Sequence, residues 1–165
     1  MKFELEITIE DTRWSDIANL KHVATQAISS AYGESECDLE SGFVVSMLFC
    51  SDSRIKDLNR EWRHQDKATN VLSFPAPQDL VIEECLVLGD LALSYETVLR
   101  ESETEDKKIV DHLSHLIIHG FLHLLGFDHE TESDAEEMEW IERRSLAKIG
   151  IMDPYANSEI DGQTK

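Results

Sequence analysis

The strongest structural signal in this 165-residue chain is the segment HGFLHLLGFDH, residues 119–129. An α-helix turns by about 100° per residue, so His119 and His123 lie on one helical face, about 6 Å apart along the axis. Gly126 allows such a helix to end in a left-handed turn. The chain can then reverse its direction and bring His129 towards the other two histidines. The spacing therefore predicts three imidazoles that converge beside the end of one helix.

These imidazoles have the composition of a metal-ion ligand set. Three neutral imidazoles that leave a fourth position open are typical of a catalytic zinc ion, whereas structural zinc sites are closed by four ligands. The pattern H-x-x-x-H-x-x-G-x-x-H is also that of the metzincin zinc proteases, including the glycine. We therefore predict one Zn²⁺ ion per chain, bound by His119, His123 and His129. Scattered surface or core histidines are the alternative, and the regular spacing argues against it.

One residue differs from the metzincin pattern. Those proteases carry a glutamate directly after the first histidine, and this glutamate is the general base. The chain has Gly120 at this position, which cannot accept a proton. Asp128, next to His129, is the acid nearest to Gly120 in the sequence, and it could replace the base or, as we favour, orient an imidazole. A metallopeptidase is therefore kept only as an alternative function.

Two further histidines, His112 and His115, fall on the same stripe of the predicted helix. A site formed by His112, His115 and His119 is geometrically conceivable. However, three ligands on one stripe surround a tetrahedral ion less well than two ligands on a helix and one on a returning loop. We predict that His115 is a buried, hydrogen-bonded core residue, and that His112 lies at the edge of the site or is exposed.

Sequence patterns around this segment indicate an alternation of strands and helices. The predicted strands span residues 2–10, 43–50, 70–74 and 85–93, and the predicted helices span about 15–32, 53–62, 106–125 and 133–149. This order predicts a single α/β (α+β) domain. In it, a small mixed four-stranded sheet packs against about five helices, one of which is the metzincin-like helix.

The ends of the predicted helices depend on capping and turn residues. Ser15 is expected to cap the first helix, and Gly33 is expected to end it. Ser133, with Glu136 three residues later, has the pattern of a capping box for the last helix. The second helix is expected to bury three side chains: Ile55, Leu58 and Trp62. The domain is predicted to span residues 1–153, and the polar residues 154–165 are predicted to form a flexible tail.

Composition favours a cytoplasmic protein without a membrane segment. Apolar residues make up 41% of the chain, and no apolar run approaches the roughly 18 to 20 residues that span a bilayer. The first residues alternate charged and apolar side chains and lack the pattern of a signal peptide. The three cysteines, Cys37, Cys50 and Cys85, are widely spaced and odd in number. They are predicted to be reduced thiols that fill the core.

The net charge of −19 disfavours nucleic-acid binding unless bases are locally concentrated. Residues 128–142 contain eight acids and no Lys or Arg, whereas residues 54–67 contain five bases and three acids. Solvent-exposed helix faces are the simplest interpretation of both stretches. Any contact with a nucleic acid is expected within residues 54–67, where bases exceed acids.

Three blocks of sequence resemble the YbeY family, bacterial rRNA maturation factors described as zinc-dependent endoribonucleases. HGFLHLLGFDH is similar to the family signature HGxLHLxGxDH. LNREWR (58–63) with DKATNVLSFP (66–75) resembles LNxxyRxxdkpTDVLSFP, and LGDLALS (88–94) resembles LGDIxIS. The departures are Ala68 in place of the usual proline, Asn70 where Asp or Asn occurs, and Phe127 where tyrosine is common.

The resemblance implies a function and a set of site residues. It implies that His119, His123 and His129 bind zinc and that Arg63 is the basic residue needed for activity. It also implies cleavage of single-stranded RNA, maturation of the 16S rRNA 3′ end, ribosome quality control, and action on ribosomal particles or with ribosome-associated proteins. A guanidinium suits phosphate binding, although a surface salt bridge with Glu61 or Asp66 is the alternative for Arg63. A non-catalytic ribosome-assembly factor with a structural zinc is a further alternative.

Overall fold

A mixed five-stranded sheet forms the centre of the molecule. A computed structural model describes residues 3–156 of the chain. The strands are β1 (Phe3–Ile9), β2 (Phe43–Cys50), β3 (Val71–Pro75), β4 (Val81–Ile82) and β5 (Cys85–Ser94). Strand β2 pairs in parallel with β1 and β5, whereas β3 and β4 pair antiparallel with β5. The strand order β1-β2-β5-β3 confirms a mixed sheet, and leaves β3 at one edge.

More helices pack on one face of this sheet than on the other. They are α1 (Leu20–Glu34), α2 (Asp52–Arg63), α3 (Tyr95–Thr104), α4 (Ile109–Leu124) and α5 (Glu132–Lys148), with a short 3₁₀ helix at Thr12–Asp16. Alternate residues of β2 are buried in the main core, because side chains along a strand point to opposite faces. The main core lies between the sheet and the packed helices α1, α4 and α5. The other face carries a small cluster under α2, formed around Cys50, Ile55 and Ala92. The predicted single α/β domain is confirmed.

Helix α4 is the central helix of the main core. It contacts α1, α3, α5 and the strands β3 and β5. A helix surrounded in this way is apolar on most sides, and ten of its sixteen residues are buried. The two histidines in its last turns therefore project from a rigid element whose position is fixed by the core.

Several predicted helix ends are wrong. The first helix begins at Leu20 instead of Ser15, because Trp14 is buried and donates an indole hydrogen bond to the Cys50 carbonyl at 2.9 Å. This contact holds the chain in the 3₁₀ turn. Gly33 lies inside α1, and the first residue with a left-handed backbone after the helix is Glu36, at φ 60°. Helix α5 is capped by Thr131, whose hydroxyl accepts from the backbone of Asp134 at 3.1 Å, two residues before the predicted cap.

Two elements were not predicted, and one predicted burial is wrong. Helix α3 and the two-residue strand β4 are additional to the predicted elements, and the predicted helix 106–125 begins at Ile109. Trp62 was expected in the core, but it is 62% exposed. Of the three cysteines, which are all free thiols, only Cys50 is fully buried.

The chain termini extend beyond the described part. Lys2, the predicted start of the first strand, and 157–165, most of the predicted tail, lie outside the described residues. Within residues 3–156, no helix is both long and apolar enough to cross a bilayer.

Candidate metal centre

The loop after α4 brings the three histidines of the 119–129 segment together. His119 and His123 lie one turn apart near the end of α4, and Gly126 then adopts a φ of 103°, which favours glycine. The chain reverses, and His129 returns beside them. One nitrogen of each imidazole lies within 4.8 Å of the other two, and the Nε2 atoms of His119 and His123 are 3.1 Å apart.

Hydrogen bonds to the opposite ring nitrogens fix the tautomers of two of these histidines. The Nδ1 of His123 lies 3.0 Å from the Phe127 carbonyl oxygen, which can only accept, so Nδ1 carries the proton. The Nδ1 of His119 lies 3.3 Å from the Glu142 carboxylate and donates in the same way. Both Nε2 atoms therefore present lone pairs.

The arrangement of these lone pairs fits a bound cation. Two lone pairs that face each other at 3.1 Å repel unless a positive charge lies between them. Zinc–nitrogen bonds of about 2.0–2.1 Å in a tetrahedral site place two ligand nitrogens about 3.3 Å apart. Burial lowers the pKa of His123, and repulsion from His119 and His129 lowers this pKa further, which favours the neutral, ligating form. The residues present could therefore hold a metal ion.

A buried carboxylate that the sequence analysis missed supports this cluster. Glu142 of α5 is 1% exposed, and its carboxylate accepts hydrogen bonds from His115, from His119 and, at 2.9 Å, from the Tyr155 hydroxyl. Burial alone would raise the pKa of Glu142, but the histidine hydrogen bonds outweigh burial and lower this pKa to about 2. Glu142 is therefore an ionised carboxylate that orients the imidazole of His119.

The signal for Glu142 was present in the sequence. Glu142 is one of the eight acids of residues 128–142, for which a solvent-exposed helix face is the simplest interpretation. However, it shares its face of α5 with four buried residues: Met138, Ile141, Ser145 and Leu146. A carboxylate on an apolar helix face requires a buried partner, and the histidines of α4 are that partner.

The predictions for the other two histidines of α4, His112 and His115, have different outcomes. His115 is largely buried and hydrogen-bonded, as predicted. His112 is not exposed, which was one of the two positions predicted for it, because its exposed fraction is only 5% and its Nε2 lies 2.8 Å from the Glu101 carboxylate. Helix α3, which was not predicted, carries Glu101 against this part of α4. Burial tends to raise the pKa of Glu101, but hydrogen bonds from His112 and Asn70 lower it overall.

Among residues 3–156, no hydrogen bond joins the Asp128 carboxylate to an imidazole. It is exposed, and its carboxylate accepts from the backbone N–H of His129 at 2.7 Å. The orienting contact of His123 comes instead from the Phe127 carbonyl, as described above. This carbonyl belongs to the backbone, so the side chain at position 127 is not required for the contact.

Two of the three converging histidines, His119 and His123, line a cleft of about 710 Å³. Its opposite wall is the edge strand β3, and Arg63 and Tyr155 also line it. The Arg63 guanidinium donates to the Ser73 carbonyl and lies 5.5 Å from the Phe74 ring centroid. Among residues 3–156, no ion pair joins Arg63 to Glu61 or Asp66, and Asp66 pairs with Arg60 at 3.4 Å. The guanidinium is thus exposed at the cleft wall.

Gly120 lies where α4 packs closely against the sheet. A Cβ atom there would lie 2.9 Å from the Leu91 side chain and 3.1 Å from the Ser73 hydroxyl. Contacts this short force neighbouring atoms to move. The metzincin glutamate would therefore be oriented towards β3 and β5 in this fold.

We expect Gly120→Glu to destabilise the protein and to give no peptidase activity. Overpacking costs about 1–3 kcal/mol, and the cost of burying a carboxylate without a partner is added. Urea denaturation would measure the free energy of unfolding, and Gly120→Ala is the matched control with the smaller side chain. Unchanged stability of Gly120→Glu would contradict the packing explanation. Peptide cleavage by this variant would contradict the expected absence of peptidase activity.

We expect Glu142→Gln to weaken divalent-metal binding by about 10- to 100-fold, the usual effect of losing a partner that orients a ligand. A glutamine amide can donate to Nδ1 of His119, which would move the imidazole proton to Nε2 and block the ligating lone pair. Competition with a chromophoric chelator would measure the affinity, and nitrogen chemical shifts would report the tautomer. The control is Glu136→Gln, an exposed residue of the same helix with the same charge change. Equal affinity of both variants would show that Glu142 has only a structural role.

The fold and the site define an α/β protein with a three-histidine cluster suited to a metal ion, beside a cleft that an arginine also lines. Comparisons with known proteins then identify the family. The family model described as Endoribonuclease YbeY matches residues 6–150. This chain therefore belongs to the YbeY family, which confirms the resemblance found in the sequence.

Individual relatives agree with this assignment. A protein of Azorhizobium caulinodans named Endoribonuclease YbeY is 45% identical over 156 residues, which cover 93% of this chain and 96% of that protein. One of Agrobacterium fabrum with the same name is 44% identical over 162 residues, covering 94% and 96%. The solution structure of TM1509 from Thermotoga maritima matches with a TM-score of 0.55 at 23% identity. It covers 88% of this chain and 91% of that protein, and shows the shared fold.

Proposed function

We propose that this chain is a zinc-dependent endoribonuclease specific for single-stranded RNA. Its proposed role is rRNA maturation, at the 16S rRNA 3′ end, and ribosome quality control. The observation that carries the proposal is the convergence of His119, His123 and His129, two of which, His119 and His123, line the same cleft as Arg63. Membership in a family named for endoribonuclease activity supports it.

Each site residue has a proposed task in phosphodiester cleavage. The three histidines bind the metal through neutral imidazoles, and Glu142 and the Phe127 carbonyl hold the Nδ1 protons of His119 and His123. A bound zinc ion supplies Lewis-acid chemistry for phosphoryl oxygens and for water. Arg63 binds the phosphate with its planar fork and offsets the charge that develops on the phosphoryl oxygens.

The substrate is proposed to be single-stranded RNA and not a peptide. Gly120 removes the glutamate base of metzincin proteases, whereas a guanidinium suits a phosphate. The opposing observation is the open edge of β3 beside the cleft, since an extended peptide can add to such an edge. A peptide arm is therefore needed in any test of the substrate.

We expect the metal-loaded protein to cleave labelled single-stranded RNA, to cleave duplex RNA poorly and to leave unstructured peptides intact. Denaturing gels and mass spectrometry would detect the products, with His119→Ala as the control for contaminating nucleases. Peptide cleavage that disappears in the mutant would establish the peptidase alternative. RNA cleavage that persists in the mutant would favour the assembly-factor alternative.

The charge of the chain bears on its proposed partners. With a net charge of −19, binding to free RNA is expected to be weak and salt-sensitive, with contacts concentrated in residues 54–67. We therefore propose that ribosomal particles or ribosome-associated proteins supply further binding surface. The proposed substrate, an rRNA precursor, is cytoplasmic, and the enzyme is proposed to act there.

A further inference from the structure

A second cavity lies on the opposite face of the sheet from the main core. It is a groove of about 530 Å³ between the end of α2 and the strands β2, β3 and β5. Most of its lining is apolar, and its most exposed large apolar side chain is Trp62, at 62%. The carboxylate-bearing residue Asp90 of β5 also lines the groove. An indole exposed to this degree contributes little to the core.

This groove adjoins the histidine cleft. Arg63 and Pro75 line both cavities, so the guanidinium lies between the histidines on one side and Trp62 on the other. A single strand with a phosphate at Arg63 would therefore bring a neighbouring base to the groove. The groove offers an aromatic face for stacking and a carboxylate that can accept from base N–H groups, which are the features that recognise an unpaired base.

We infer that the Trp62 groove binds a nucleobase of the RNA strand, next to the phosphate held by Arg63. This inference rests on the proposed function and extends it to a specific subsite. The base stacks on Trp62, and its hydrogen-bonding edge faces Asp90. Cytosine, adenine and guanine carry an exocyclic amino group from which a carboxylate can accept, whereas uracil offers only its ring N3–H. The subsite should therefore bind an amino-bearing base more tightly than uracil.

Intrinsic fluorescence can test this subsite directly. In a Trp140→Phe background, Trp62 is the only exposed tryptophan, because Trp14 is fully buried. Single-stranded 2′-O-methyl cytidine hexamers are expected to quench this fluorescence saturably and to bind more tightly than uridine hexamers. By polarisation of labelled hexamers, Trp62→Ala should raise Kd about tenfold, the usual loss for one stacked base. Trp62→Phe should keep most of the affinity, and Asp90→Ala should remove the preference for cytidine.

The control for Trp62→Ala is Trp140→Ala, a 53% exposed tryptophan on α5 that lines neither cavity. Circular dichroism would verify the fold of each variant. An unchanged Kd in a folded Trp62→Ala protein that still cleaves RNA would overturn the subsite and retain the proposed function. Saturable, Trp62-dependent quenching in a protein that cleaves no RNA would retain the subsite and overturn the proposed function. Quenching by an apolar peptide but by no oligonucleotide would assign the groove to a protein partner and overturn the inference.

Discussion

The purified protein is expected to contain one zinc ion per chain, and His119→Ala, His123→Ala and His129→Ala are each expected to lose it. The three imidazoles already converge within 4.8 Å, so loss of one ligand leaves two nitrogens for the ion. Loss of a partner that only orients a ligand lowers metal affinity by about 10- to 100-fold. Loss of a ligand itself should lower the metal affinity by more than this. Elemental analysis after extensive dialysis would measure the metal content of each protein.

Two further variants separate the ligands from the other histidines. His22→Ala is the control, because His22 is exposed on α1, and this variant should keep full metal content. His115→Ala tests the alternative ligand set formed by His112, His115 and His119. Full metal in His129→Ala together with loss of metal in His115→Ala would mean that the ligands were assigned wrongly.

The sequence predicts only the part of the site that lies within eleven consecutive residues, 119–129. The positions of His119, His123 and His129 relative to each other follow from helical periodicity and from the left-handed turn at Gly126. Glu142 follows Asp128 by fourteen positions and reaches the site only because α5 packs against α4. Its contacts depend on tertiary packing, which no local spacing encodes.

The fold shows the same division between local and long-range information. Strand β2 was predictable because its apolar run has the length of a buried strand. Helix α3 was missed because its buried face includes the polar residues Thr97 and Ser102 beside Val98. The start of α1 was wrong because Trp14 contacts Cys50, a residue 36 positions away. Amphipathic patterns therefore located elements that bury apolar faces, but not those positioned by long-range contacts.

The contacts of Arg63 in the structure bear on one of its two sequence interpretations. The sequence allowed either a surface salt bridge or a phosphate-binding role. Asp66, one possible partner, pairs with Arg60 instead. Arg63 donates to the Ser73 carbonyl and lines the cleft beside the histidines. Its role in activity stays a prediction, and it can be tested without disturbing the core.

Arg63→Glu is expected to lower kcat for RNA cleavage by about 10²- to 10³-fold, the usual loss when one group that stabilises transition-state charge is removed. The new carboxylate would also repel the phosphate. The free energy of unfolding should change by less than about 1 kcal/mol, because Arg63 is exposed. Cleavage kinetics, circular dichroism and metal analysis would measure activity, fold and metal content in the same preparation.

The matched control for this variant lies one helical turn earlier in the same helix. Arg60→Glu makes the same charge change, but Arg60 pairs with Asp57 and Asp66 and does not line the cleft. It should lose only the part of RNA binding that depends on overall charge, and high salt should reduce that loss.

Arg63→Lys keeps the charge but not the planar fork, so it should recover part of the activity. Equal losses of activity in Arg60→Glu and Arg63→Glu would mean that Arg63 contributes only through the overall charge of the protein. A large loss of stability in Arg63→Glu alone would show that its contact with Ser73 is structural, and the proposed phosphate-binding role would then be wrong.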